Sequence, residues 1–95
     1  MEHQLIKFSG FNPTDSLKSY LISKMEDLYD YSPYGSNFLA TITHDRGIFN
    51  AMITVNSISR SFLVKASGEA VSDVCESIMK QLHKQLDIWK SIRFT

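Results

Sequence analysis

Three consecutive runs between residues 37 and 66 alternate apolar and polar side chains with a period of two, and directly after Ser67-Gly68 the period lengthens to about 3.6. A chain with that switch must put a run of neighbouring strands before a long helix. In 37–44 the core side is Phe38, Ala40 and Ile42. In 48–56 it is Phe49, Ala51, Ile53 and Val55, and in 60–66 it is Phe62, Val64 and Ala66. The connections are short: Asp45-Arg46-Gly47 is a compact turn and Asn56-Ser57-Ile58-Ser59 closes the second run. Strands in this order read as an antiparallel meander. From 69 to 91 the residues Val71, Val74, Cys75, Ile78, Leu82, Leu86 and Trp89 make one apolar stripe, which predicts the long helix.

Upstream, 3–9 alternates as a first strand, with Ile6 and Phe8 on one side, and stops at Ser9-Gly10. Asn12-Pro13-Thr14-Asp15 supplies a turn and a Thr or Asp cap. Leu17, Leu21, Met25 and Leu28 then recur at helical spacing, so a helix is expected over roughly 14–30, ended by Tyr31-Ser32-Pro33-Tyr34-Gly35-Ser36. The first helix is long enough to return the chain as a right-handed crossover, placing strands one and two parallel and adjacent. The expected fold is therefore α+β, ordered β-α-β-β-β-α, with a four-stranded mixed sheet and both helices packed on one face. The other face would carry Leu5, Lys7, Leu39, Thr41, Met52, Thr54, Leu63 and Lys65.

A length of 95 residues suits a single domain, 1–95, with one modest core. One cysteine, Cys75, cannot form an internal disulfide, so a reducing cytoplasm is expected. The amino terminus lacks a signal-peptide pattern, and no apolar stretch is long enough to span a membrane. Net charge is zero, which excludes indiscriminate coating of nucleic acid. The balance is uneven along the chain, however. Four cations meet six carboxylates in residues 1–47, whereas Arg60, Lys65, Lys80, Lys84, Lys90 and Arg93 meet only four in 48–95.

Three strings then take on meaning together: Thr14-Asp15-Ser16-Leu17-Lys18-Ser19-Tyr20-Leu21 with Lys24 following, Leu63-Val64-Lys65-Ala66-Ser67-Gly68 before the last helix, and Gln81-Leu82-His83-Lys84-Gln85-Leu86 within it. In order and spacing they resemble the ribosome hibernation-promoting and ribosome-associated inhibitor family, also called sigma-54 modulation proteins, over nearly the whole chain. The resemblance implies a silencer of translation that occupies the small ribosomal subunit and turns a basic helix surface to ribosomal RNA. Lys18, Lys24, Lys84 and Lys90 fall where that family commonly has a basic residue, and Lys80 and Arg93 add charge nearby. The chain departs from the family pattern at Ala70-Val71-Ser72-Asp73, where an acidic pair followed by Met-Tyr is usual, and at Asp87-Ile88-Trp89, where a basic run is usual. With its end at Thr95, a short-form member is expected, without the carboxy-terminal domain of the long members.

Without the resemblance, the same lysines read as a solvated helix face whose charge complements the macrodipole. Tyr29, Tyr31, Tyr34 and Phe38 seal one end of the core in preference to stacking on bases, and Trp89 anchors the last helical turn. His83 is a surface histidine with no assigned role. His3, His44 and His83 have no short metal-ligand spacing and the glycines are scattered, so no enzyme, metal or cofactor is expected. The competing expectation is a protein-interaction or homodimerising module that has lost ribosome binding and uses the half-apolar outer sheet face.

Overall fold

The computed structural model describes residues 4–30, 32, 35–58 and 60–93, with residues 92 and 93 described by their backbone alone. Its elements are β1 (Gln4–Ser9), α1 (Asp15–Tyr29), β2 (Asn37–Asp45), β3 (Ile48–Asn56), β4 (Ser61–Gly68) and α2 (Val71–Arg93). The sheet runs β1-β2-β3-β4. β1 pairs parallel to β2, and the other two ladders are antiparallel. This is the α+β mixed sheet that the residue periods predict.

Local chemistry explains the boundaries. Thr14 sits in extended geometry before α1, and its Oγ1 accepts from the Leu17 N–H at 3.1 Å, relieving one of the free amides of the first turn. At the other end the Ser32 hydroxyl donates to the Leu28 carbonyl at 2.8 Å. β2 and β3 are joined by a two-residue turn in which Arg46 and Gly47 both have positive φ, 54° and 81°. That mirror-image geometry matches the twist of the flanking strands. The loop from β3 to β4 is closed by Ser57, whose hydroxyl donates to the Arg60 carbonyl at 2.6 Å and accepts from its N–H at 3.0 Å. α2 starts at Val71, the first residue of its apolar stripe and two residues after the expected 69, and its first turn closes with the Val74 N–H donating to the Ala70 carbonyl at 3.1 Å.

The core lies between one face of the sheet and both helices. Phe38, Ala40, Ile42, Ala51, Ile53, Val55, Phe62 and Val64 meet Leu21, Met25 and Leu28 of α1 and Val74, Cys75, Ile78, Met79, Leu82 and Leu86 of α2. α2 rides closest to β3 and β4. Trp89 packs edge-on against Phe62, with ring centroids 6.5 Å apart, and so anchors the end of α2 as expected. Tyr29 tilts over the buried Phe38 at 6.2 Å, while Tyr31 and Tyr34 fall outside the described residues, as does His3. At the opposite end Phe11 meets Phe8 and Phe49 edge-on, and His44 stacks on Phe49 at 4.1 Å. Gly10, at φ 85°, lets the chain pass against this cluster, since a Cβ there would collide with the His44 carbonyl oxygen.

Candidate nucleic-acid interface between the helices

Seen from the core outward, α1 and α2 share a floor but diverge above it, and a groove of about 1070 Å³ opens between them. Its floor and lower walls are Phe11, Leu17, Leu28, Val71 and Met79. Tyr20 reaches in from α1. Burial raises its phenol above the ordinary 10.0, and the Glu76 carboxylate of α2 adds to the shift. The two helices therefore face each other electrostatically here as well as sterically. Beneath them Cys75 is fully buried, and the loss of solvent pushes its thiol up to about 11.

The rims carry the charge. Lys24 stands on the α1 side, its ammonium 5.9 Å from the Tyr20 ring centroid, and Asp27 follows one turn on. On α2 the rim reads Glu76, Lys80, His83, Lys84 and Asp87. Lys80 pairs with Glu76 at 3.4 Å, and His83 Nδ1 lies 3.3 Å from an Asp87 oxygen. Both pairs have the (i, i+4) spacing that brings side chains together on a helix.

Of the six basic residues expected to form an RNA-binding strip, the groove thus assembles Lys24, Lys80 and Lys84. Lys18 is exposed on α1 outside the groove walls; six residues before Lys24, it points about 120° away around the helix. Lys90 is half-buried beyond the groove near the end of α2. The side chain of Arg93 lies outside the described residues. The three lysines share the rims with Asp27 on α1 and with Glu76 and Asp87, which flank Lys80 and Lys84 on α2, so the rim is mixed in sign and not a continuous cationic stripe. The residues that sequence reasoning did not assign are Tyr20, Asp27, Glu76 and Asp87. The spacings Glu76–Lys80 and His83–Asp87 were a legible signal for the two pairs, whereas nothing in the sequence announced that the helices part.

Among the described residues no cluster of His, Cys, Asp and Glu could hold a metal, and no helix is long and apolar enough to cross a membrane. No protein-family model matches the chain, and no curated protein matches it in sequence. Solved structures do. The ribosomal subunit interface protein of Coxiella burnetii superposes with a TM-score of 0.76 at 16% identity, covering 94% of this chain and 98% of that one. The N-terminal domain of Thermus thermophilus protein Y gives 0.71 at 18% identity, covering 87% and 94%. At these identities the likeness is one of fold, and it is the fold that the resemblance to the ribosome-hibernation family implied.

Proposed function

We propose that this chain is a cytoplasmic, ribosome-associated silencer of translation that seats its helix side on small-subunit ribosomal RNA. The observation that carries the reading is the near full-length match of its fold to a ribosomal subunit interface protein, reached independently of the three sequence strings. The groove supports it chemically. Lys24, Lys80 and Lys84 stand on both rims of one concave surface, where their ammonium groups can displace counterions from phosphates. Lys18, Lys90 and Arg93 would extend that contact at the margins.

The neighbouring carboxylates shape how such a surface works. Asp27, Glu76 and Asp87 repel any phosphate that does not fall opposite a lysine, so they weaken general attraction to RNA and favour one spacing over others. Occupation of the subunit, with no chemical step, then blocks translation. The test is co-sedimentation with purified small subunits at low salt, paired with inhibition of a cell-free translation reaction. The protein should pellet with the subunits and depress synthesis in proportion to occupancy. Absence from the pellet at micromolar protein, with translation unaffected, contradicts the proposal.

A further inference from the structure

The sheet face turned away from the helices is organised in rows. The ladders align Leu5, Leu39, Thr54 and Leu63 across all four strands, and beside them Lys7, Thr41, Met52 and Lys65. Leu5 and Leu63 are more than half exposed, at 54% and 55%, and Met52 is 37% exposed. An apolar row of that kind is bordered by a row with a lysine at each edge. With strands about 4.8 Å apart, the two lysines stand roughly 14 Å from one another. Among the described residues the only carboxylate at an outward strand position is Asp45, at the hairpin end and 4.0 Å from the Arg46 guanidinium. In a chain of zero net charge, this face is therefore positive while the helix groove is balanced.

We infer that the outer sheet face is a docking surface for an acidic, amphipathic protein segment. Its occupant is a helix lying across the strands, with leucine-like side chains on the Leu5–Leu39–Leu63 row. Carboxylates about three turns apart along one side would meet Lys7 and Lys65. Charge complementarity selects this partner over two others. A second copy stacked face to face would bring four lysines together, with Asp45 at the hairpin end, beside Arg46, as the one outward strand carboxylate that each described face offers in return. Single-stranded RNA would lack a stacking surface, since no outward strand position holds Phe, Tyr or Trp. The surface is separate from the helix groove, so both can be engaged at once.

Two synthetic helical peptides test the inference by backbone-amide NMR. Each has the same leucine stripe, flanked by glutamates in one and by lysines in the other. The glutamate peptide should shift resonances of Leu5, Leu39, Met52, Leu63 and Lys65, and bind at least about tenfold more tightly than the lysine peptide. The exposed double variant Lys7→Glu/Lys65→Glu should invert that preference, and its unchanged dispersion elsewhere would show that it folds. Equal binding of both peptides, shifts confined to the groove, or no shift at millimolar peptide overturns the inference. So do sheet shifts that grow with protein concentration alone, which mark a second copy, or a larger response of the same resonances to a single-stranded RNA oligomer.

Discussion

At Cys75 the whole environment is read by one proton. Its thiol is held neutral up to about 11 in the folded protein, against an ordinary value of 9.0, because burial disfavours the thiolate. The unfolded chain releases that proton first as pH rises. Stability tied to the neutral thiol is therefore complete below pH 9 and is lost toward pH 11, by about 2.7 kcal/mol at the upper end. Tyr20, raised in the same direction, adds to the decline. Urea midpoints between pH 8 and pH 10.5 should fall more steeply for the wild type than for Cys75→Ala; parallel curves contradict the burial argument. Two backbone positions carry opposite expectations. Gly10→Ala should cost about 2 kcal/mol or more, since a side chain there meets both a positive φ and the His44 carbonyl. Arg46→Asn should instead raise the thermal midpoint, by about 0.5 kcal/mol of stability, because asparagine suits the left-handed first position of the turn better than arginine.

The two helices differ in how firmly they are held. α2 buries Val74, Cys75, Ile78, Met79, Leu82 and Leu86 and lies close on β3 and β4, whereas α1 buries only Leu21, Met25 and Leu28 fully. α1 depends correspondingly more on its cap. Thr14→Ala removes the hydroxyl that accepts from Leu17 and should cost about 1 kcal/mol in chemical denaturation, with Thr14→Ser close to neutral. Native-state hydrogen exchange should show α1 amides opening at lower free energy than those of α2 at Leu82 and Leu86; uniform protection would mean that the helices open as one unit. These elements were the most legible part of the sequence. Alternation in 37–44 and 48–56 named β2 and β3, and the stripe behind the expected helix 69–91 named α2, each within about two residues, because period follows directly from backbone geometry. The extension of β4 to Gly68, two residues past the expected 66, was not legible, since its pairing with Phe49 is a long-range event.

For the molecule as a whole, topology was readable and the site only partly so. A crossover followed by a meander leaves few arrangements open, so the parallel β1–β2 pair and the single helical layer followed from local signals. Which cations share a surface depends on how two helices are rotated and how far they part, and neither is written in a residue period. Lys24, Lys80 and Lys84 came together, but Lys18 did not join them, and Asp27, Glu76 and Asp87 share the same rims. On the proposed function, these three lysines, within an overall neutral chain, give the helix side its hold on ribosomal RNA. The salt dependence of binding to small subunits measures it most directly. Log affinity against log salt should fall with a slope of about −2 to −3 or steeper, and Lys24→Gln/Lys80→Gln/Lys84→Gln should make that slope shallower by about 2 to 3. A slope near zero in the wild type, or one that the triple variant leaves unchanged, would contradict the claim.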